Sequence, residues 1–451
     1  TFIHPFDDPA VAAGQGTRVR PLTKDLPKPM IPILGKPVLE YIIEHLARHG
    51  IKEIMINVAF MHRKIEEYFG DGHRWGVEIG YSYEGAFDHG DIVPKPRGSA
   101  GGMKYITFIT RHHDGFSNWD TKQSDWKITN TPYGKDVLKQ LADECHKQGI
   151  KLVCYYSLLD WYRSDYQYET GRTGKGSGRT EKSNWQGYLN FMKAQLTELL
   201  TNYGTIDGIW FDGHWDQTAP EGAADRTSRV DWKYNEIYEL IHKLQPQCLV
   251  GNNHHMSPFA GEDFQMFEKD LPGQNTSGLN FQEGSTDLPL ETCETMNDSW
   301  GFNITDGNYK SVKGLVQYLV KAAGYNTNFL LNVGPMPDGN IQHEFADTLK
   351  AIGKWMEQNG ETIYGTRGNI IKPQQWGTLT MKNKTVYVHI LNKPEQQGYI
   401  FIPGVTEKIA KAFLFNGKKE VKLKQVPEGF FIYLDGVTLD DMDTIIQLDL
   451  K

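Results

Sequence analysis

From Lys104 onward, short apolar runs and stretches of helical period take turns along the chain. Residues 105–110 read as a buried strand, followed by a helix over 135–148, the strand IKLVCYYS, a Gly/Ser/Arg-rich loop over 171–182 and a helix over 185–202. The run TIDGIWFD, apolar at Ile206, Ile209 and Phe211, is the next strand. A helix over 231–244, the strand CLVGNN, the short run EDFQMFE, a helix over 311–323 and the strand TNFLLN complete the series. Polar and aromatic clusters recur where the strands end. Strands alternating with helices, with chemistry-bearing residues gathered at strand C-termini, predict an α/β fold built on a (β/α)8 TIM-like barrel, whose active site is assembled from those ends. Past Tyr364 the helical period stops. KTVYVHILN, QGYIFIPG, KAFLFNG, EGFFIYLDG and DTIIQLDLK are short strands between Gly, Pro and Asn turns, and predict a C-terminal β-sandwich domain. Its expected role is a packing buttress for the barrel, with carbohydrate binding as the alternative.

Ahead of Lys104 the texture differs. AAGQGTRVRPLTKDLPKPMIPILGKPVLEYIIEHLARHGI passes from small residues and glycines through a Pro-rich basic loop into a helix with Val38, Ile42 and Leu46 on one face. Glycine loops backed by Arg and Lys hold phosphates, because bare backbone N–H groups and cationic side chains converge on the anion. A plain turn between strand and helix is the other reading of such a motif.

A length of 451 residues accommodates one large barrel plus a smaller domain, or three modest domains. The 11 Trp and 22 Tyr suit a sugar-binding enzyme, while a net charge of −8 and the lack of Lys/Arg runs interleaved with aromatics exclude nucleic acid as a partner. Cys145, Cys154, Cys248 and Cys293 form no C-x-x-C pair and no metal-ligand spacing, so buried free thiols are expected, with no metal and no cofactor. No apolar run reaches the roughly 18 residues of a membrane span. TFIHPFDDPA has no basic stretch leading into an apolar one. A periplasmic or secreted location is expected, any signal peptide lying before this numbering, with the cytoplasm as the alternative.

The chemistry centres on TIDGIWFDGHWDQ, whose strand delivers Asp212 to its C-terminal end with Trp210 and Trp215 beside it. Taken alone, such an Asp is ordinarily a helix cap in a strand-to-helix loop. Flanking tryptophans favour a sugar pocket, because the C–H faces of a pyranose bury against aromatic rings while the carboxylate meets the anomeric carbon. His112-His113 and His254-His255 follow other strands, where imidazoles can donate to hydroxyls; one His of each pair is expected to be structural, and no neighbour completes a metal-ligand spacing.

Two resemblances are carried by longer motifs. Ala12-Ala13-Gly14-Gln15-Gly16-Thr17-Arg18, Pro27-Lys28-Pro29-Met30, Gly35-Lys36-Pro37, Tyr68-Phe69-Gly70-Asp71-Gly72 and Gly98-Ser99-Ala100-Gly101-Gly102-Met103 resemble the N-terminal part of the sugar-phosphate nucleotidyltransferases. There the residues matching Gly14, Gly16, Thr17, Arg18 and Lys28 hold the nucleoside triphosphate. The metal-binding Asp and the sugar-binding half of that family do not follow, and its first strand is replaced by Pro5-Phe6-Asp7-Asp8-Pro9, whose prolines cannot pair as a central strand.

From Met103 to the end, the chain resembles the α-L-fucosidases of glycoside hydrolase family twenty-nine. The motifs are His112-His113-Asp114-Gly115-Phe116, Tyr155-Tyr156-Ser157-Leu158-Leu159-Asp160-Trp161, Ile209-Trp210-Phe211-Asp212-Gly213, Gly251-Asn252-Asn253-His254-His255, Leu290-Glu291-Thr292-Cys293, Ser299-Trp300-Gly301 and Leu331-Asn332-Val333-Gly334-Pro335. The resemblance implies a retaining exo-α-L-fucosidase acting on terminal fucose of oligosaccharides or glycoconjugates. Its nucleophile falls on Asp212. Glu268, at the end of a short strand, fits best as a protonated acid/base, with Glu262 and Glu283 as alternatives. Double displacement places the two carboxyls roughly 5 to 5.5 Å apart. His112, His113, Tyr156 and Trp300 line the implied fucose pocket, with Trp210, Trp215 and His254 as further contacts. Glu291 matches a glutamate near the pocket that is not the proton donor. Thr1-Phe2-Ile3-His4 resembles the end of the first barrel strand, whose His touches the sugar.

The implied domains are a first-strand remnant (1–8), the transferase-like segment between barrel strands one and two (9–102), the catalytic barrel (103–360) and the sandwich (361–451). The segment over 9–102 replaces a family loop bearing an acidic-aromatic sugar contact, and is expected to supply a barrel crossover rather than an independent nucleotide-binding domain. Gly101-Gly102-Met103-Lys104 fits both families, so the join is inconspicuous. A catalytically impaired carbohydrate-binding barrel is the alternative function, and a nucleotidyltransferase is the least favoured.

Overall fold

The structure, a computed structural model, describes residues 10–11, 26–58, 62–83, 101–174, 178–394, 398–405 and 407–451. The chain divides into two compact units, Thr1–Pro94 and Lys95–Lys451. His4, the glycine loop with Gly14, Gly16, Thr17 and Arg18, and the side chain of Lys28 lie outside the described residues.

In the first unit, β1 (Ala10–Val11), the small hairpin β2 (Pro32–Ile33) and β3 (Lys36–Pro37), α1 (Val38–Arg48), β4 (Glu53–Val58), α2 (His62–Phe69) and β5 (Glu78–Tyr83) follow in order. The larger sheet is parallel, in the order β1-β4-β5. β1 starts directly after Pro9, and Ala10 pairs with Ile56. Leu39 and Ile43 of α1 pack against Ile54 and Ile56 of β4, Ile65 and Phe69 of α2, and Ile79 of β5. This corrects the expected face of α1. The apolar stripe is wide enough for two choices, and the sheet takes Leu39, Ile43 and part of Leu46, leaving Ile42 44% exposed. The apolar residues of this interval face one another across a βαβαβ arrangement and share a core of their own.

In the second unit, β6 (Tyr105–Arg111), α3 (Val137–Gln148), β7 (Lys151–Ser157), α4 (Trp185–Asn202), β8 (Gly208–Asp212), α5 (Tyr234–Leu244) and β9 (Leu249–Asn252) build a parallel sheet in sequence order. β10 (Gln265–Glu268), β11 (Leu290–Thr295), α6 (Val312–Gly324) and β12 (Thr327–Asn332) build a second, and a parallel bridge between Gly251 and Phe264 joins the two. All these strands run the same way, so their C-terminal ends open on one side. Side-chain capping starts the helices where the strand ends release the chain: Asp136 accepts from Lys139 N, Asn184 from Gly187 N and Ser311 from Gly314 N. At the two ends of the array, β6 and β12 are mostly half-buried, and Ile109 of β6 is 43% exposed.

Alternation along the strands sorts the side chains. One face gathers Tyr155 of β7, Trp210 of β8, Phe264, Met266 of β10 and Cys293 of β11 into one cluster. The other face sends Tyr156, Phe211 and Ile209 into the helical layer, fully buried. The four cysteines are buried and free.

After α7 (His343–Asn359) the chain is antiparallel. β13 (Gly377–Lys382), β14 (Thr385–Ile390), β16 (Ile409–Leu414) and β19 (Thr444–Leu450) form one sheet in the order β13-β14-β19-β16; β15 (Tyr399–Pro403), β17 (Leu423–Val426) and β18 (Gly429–Tyr433) form another, in the order β15-β18-β17. Val386, Val388 and Ile390 of β14 meet Ile400 and Ile402 of β15 and Phe430 and Ile432 of β18 in a shared core. The opposite face of β14 is buried too. Tyr387 packs with Phe415, Ile445 and Trp355 of α7, while His389 pairs with buried Asp443 at 2.7 Å. Gln317 of α6 donates to the carbonyls of Leu391 and Met442.

Candidate active site

Asp212 ends β8, two residues beyond Trp210 and so on the same face of the strand. Tyr155 Oη donates to its Oδ2 at 2.7 Å, and Gly213 N donates to its Oδ1 at 2.7 Å. Burial pushes its pKa up to about 6, the charge of Glu268 adds to the rise, and the Tyr155 and Gly213 hydrogen bonds oppose it. Gly213 holds φ 94°, and a side chain there would collide with Leu159, so the sharp turn behind the carboxylate requires glycine.

Below Asp212 lies a stack of aromatic rings. Tyr155 and Trp210 are parallel with centroids 5.2 Å apart, and Trp210 Nε1 donates to Glu291 Oε1 at 2.8 Å. Tyr105 Oη donates to the other Glu291 oxygen. Burial raises the Glu291 pKa against these two donors. Glu291 and Trp210 therefore form a floor that orients Tyr155.

His113 Nε2 stands 3.7 Å from Asp212 Oδ2. Its Nδ1 lies 2.7 Å from Ser157 Oγ, and that hydroxyl already donates to Leu159 O, so Nδ1 carries the proton. Burial, then the neighbouring His112 and Arg111, lowers its pKa to about 3. Nε2 is thus a neutral acceptor, which corrects the expectation that both imidazoles of the pair donate. His112 is exposed and lies parallel to Tyr155 at 5.7 Å, while Trp161 and Trp215 meet His113 edge-on at 5.5 and 5.6 Å. His112, His113 and Asp212 also bring one ligand atom each within 4.8 Å of one another, a geometry that could chelate a metal ion.

Glu268 ends β10. Asn253 Nδ2 donates to its Oε2 at 2.9 Å, and His255 Nε2 lies 3.2 Å from the same oxygen. Burial raises the Glu268 pKa, but His255 and Asn253, with Lys269, outweigh it and hold the carboxyl below its usual range. This is opposite to the expected protonated acid. Lys269 Nζ also sits 5.4 Å from the ring centre of Trp300, which is 39% exposed.

Two sequence expectations change place. Tyr156 does not line the pocket: it is fully buried on the helix side of β7, bonded to Gln195 and under the Arg111 guanidinium at 4.7 Å. The pocket tyrosine is its neighbour Tyr155. His254 is also turned away, its Nε2 donating to Glu262 at 3.0 Å while its Nδ1 accepts from Met256 N, and His255 faces the site in its stead. Glu262 has its pKa raised to about 8 by burial, yet it is enclosed by His254 and Tyr238. Glu283 is exposed, and its backbone carbonyl accepts from Gln265. Tyr155 and Asn253 were missed by sequence reasoning, while of the His254-His255 pair it is His255, not the His254 expected at the pocket, that faces Glu268. Counting by twos from Trp210 and Met266 would have found Tyr155 through register, since Tyr155 pairs with Trp210.

Residues 97–361 match the family described as Alpha-L-fucosidase. The chain belongs to the α-L-fucosidase family. Tissue alpha-L-fucosidase of Mus musculus is 28% identical over 309 residues, 66% of this chain and 62% of the mouse protein, so the chain spans less than two thirds of that relative. The solved alpha-L-fucosidase isoenzyme 1 from Paenibacillus thiaminolyticus aligns with a TM-score of 0.67 at 30% identity, covering 91% of this chain and 99% of that one. The N-terminal part of this fucosidase-family chain has a second kinship. Residues 11–116 match the family described as Nucleotidyl transferase, and UTP--glucose-1-phosphate uridylyltransferase of Synechocystis sp. is 57% identical over 96 residues, 21% of this chain and 25% of that protein. The chain is chimeric, with the two matches overlapping across the join. Among the described residues, no helix is long and apolar enough to cross a membrane.

Proposed function

We propose that the protein is a retaining exo-α-L-fucosidase that removes terminal α-L-fucose from glycans, with the parallel strands forming part of a (β/α)8 barrel and the C-terminal sheets a β-sandwich. The observation that carries the reading is Asp212, fixed by Tyr155 and Gly213 at a strand end, in electrostatic contact with Glu268 and beside an accepting imidazole and two indole rings. Asp212 attacks the anomeric carbon as the C–O bond to the leaving group breaks, and Glu268 gives that oxygen its proton. Glu268 then takes a proton from water, whose oxygen displaces Asp212 from the fucosyl ester. His113 accepts a fucose hydroxyl, and His112, Trp215 and Trp300 complete the sugar's surroundings.

Hydrolysis of 4-nitrophenyl α-L-fucoside followed by proton NMR tests the proposal. α-Fucose as the first product is expected; β-fucose first would replace retention with inversion. The half-buried edges of β6 and β12 favour a second reading, a sugar-binding barrel with impaired catalysis. Fucose binding without turnover would support it.

A further inference from the structure

Several buried histidine rings of the second unit are pinned by their neighbours. His254 Nε2 lies 3.0 Å from Glu262 Oε1 while its Nδ1 accepts from Met256 N, and His389 sits between Asp443 at 2.7 Å and Thr380 at 3.1 Å. His255 differs. It is only 5% exposed, yet among the described residues neither of its ring nitrogens completes an aligned hydrogen bond. Its Nε2 nevertheless stands 3.2 Å from Oε2 of Glu268, at the end of β10. A buried polar atom without a fixed partner calls for an explanation. The carboxylate beside it supplies one.

Both partners are held in place through their backbones. His255 takes a φ of 56°, in the left-handed region that side-chain-bearing residues seldom adopt, and Arg226 Nη1 donates to its carbonyl at 2.8 Å. Asn280 Oδ1 accepts from the Glu268 N–H at 3.1 Å, Asn280 Nδ2 donates to the Glu268 carbonyl at 2.7 Å, and Asn253 Nδ2 donates to Oε2 at 2.9 Å. The charges around the ring come from few residues. Glu268 on β10 and, farther off, Asp212 on β8 favour a proton on it. His254, on the same turn, adds no charge, because burial, then His255 and Arg226, lower its pKa to about 3. The Arg226 charge works against the proton but is shared with Glu221 at 3.5 Å, while Lys269 acts on Glu268 itself.

We propose that His255 and Glu268 share one proton, which rests on the His255 ring in the free enzyme and passes to the carboxyl when a fucoside binds. Its use in catalysis rests on the fucosidase reading; the sharing itself does not. Burial works to raise the Glu268 pKa, but His255 and Asn253 hold it low, so the free carboxylate leaves the proton to its neighbour. In the complex the Nε2–H bond breaks as an O–H bond forms at Glu268. That proton goes to the glycosidic oxygen as its bond to the anomeric carbon breaks, leaving an ionised carboxyl beside a neutral ring. In the second step the attacking water gives Glu268 a proton, which returns to His255 as fucose departs. A turnover therefore consumes no proton, and His255 acts through Glu268 as a positioning residue for that proton.

A pair that holds one proton gives it up at a pH no lower than the carboxyl would alone, because the ring offers the proton a second resting place. His255→Asn removes the titrating ring and suits the left-handed backbone. The basic limb of its kcat/KM for 2′-fucosyllactose should fall by about one pH unit or more, with a loss of roughly tenfold at neutral pH and a smaller loss on 4-nitrophenyl fucoside, whose phenolate leaves without a proton. An unmoved limb, or equal losses on the two substrates, would overturn the proposal. The second measurement needs no turnover. In the full chain carrying isotope-labelled histidine, the nitrogen NMR signal that disappears in His255→Asn should be that of an imidazolium at about pH 6, and Glu268→Gln should convert it to that of a neutral ring. A ring that is neutral in the wild type, or that stays charged in Glu268→Gln, would overturn the shared proton. A wild type that hydrolysed no fucoside would overturn the function, and the nitrogen signals would still decide whether the proton is shared.

Discussion

The ends of β8 and β10 carry the two carboxylates of the proposed reaction, and their surroundings treat a proton in opposite ways. At Asp212, burial and the facing negative charge lift the pKa to about 6. At Glu268, burial acts in the same direction, but His255 and Asn253 pull the carboxyl below its usual range. Chemistry demands the reverse order, an ionised nucleophile and a protonated acid. For the proposed reaction this order has to change in the complex: a sugar that excludes water and brings the glycosidic oxygen to Glu268 as an acceptor would favour the proton there.

The strongest way to break this comparison is to remove the β8 carboxylate. Asp212→Gly should lower turnover on the order of 10⁴-fold, with azide restoring activity from the vacated space. Near-normal turnover without azide would disqualify Asp212. On the β10 side, Glu268→Ala should cost roughly 10²-fold or more on fucosyl disaccharides and far less on aryl fucosides, whose phenolate leaves without help. Equal losses on both substrates would move the acid elsewhere. If the sugar brings the proton, the basic limb of kcat should also lie at higher pH than that of kcat/KM; coincident limbs would refute substrate-linked protonation.

Tyr155→Phe sharpens the contrast from the other side. It removes a donor that lowers the Asp212 pKa, so the acid limb of kcat/KM, expected near pH 6, should move to higher pH with a loss of about tenfold. An unmoved limb would mean that Asp212 does not set it. The smallest effect is expected at Glu262, whose buried carboxyl has a pKa of about 8 against an ordinary 4.5. A folded-state pKa raised in this way gives stability that is full below the unfolded value and is lost as pH climbs through the folded one. Glu262→Gln should therefore flatten the decline of Tm toward about pH 9 by a few degrees while leaving the leaving-group dependence unchanged. A variant that behaved like Glu268→Ala on poor substrates would make Glu262 the acid.

Much of this site was legible because strand ends announce themselves. Trp210 and Asp212 are two apart, so placing one indoors places the other, and apolar runs marked β7, β8, β9, β10 and β12, whereas β11, LETCET, has no such run and was not read as a strand. What was not legible depends on facing. Tyr155 and Tyr156 are adjacent and chemically alike; only pairing with Trp210 assigns the first to the pocket, while Arg111 and Gln195 claim the second. His254 and His255 pose the same ambiguity, resolved by a left-handed φ of 56° at His255, which no composition rule anticipates in a non-glycine residue. In the first unit, α1 offered two adjoining apolar stripes, and only the sheet against it decides between them.

Strand β14 has a consequence for how such chains can be recombined. Because it is buried on both faces, sharing one core with β15 and β18 and another with Trp355, Phe415 and Ile445 around Tyr387, its sequence answers to two partners at once. The C-terminal sheets are therefore poor candidates for exchange between relatives: a transplanted copy would carry the wrong relief for α7, whereas a copy deleted outright would bare an oily helix flank and promote aggregation. The opposite end of the chain follows the reverse rule. Residues whose apolar side chains close among themselves, as Leu39, Ile43, Ile56 and Phe69 do, bring their own packing with them, so evolution can graft such a piece onto a foreign enzyme without first redesigning either core.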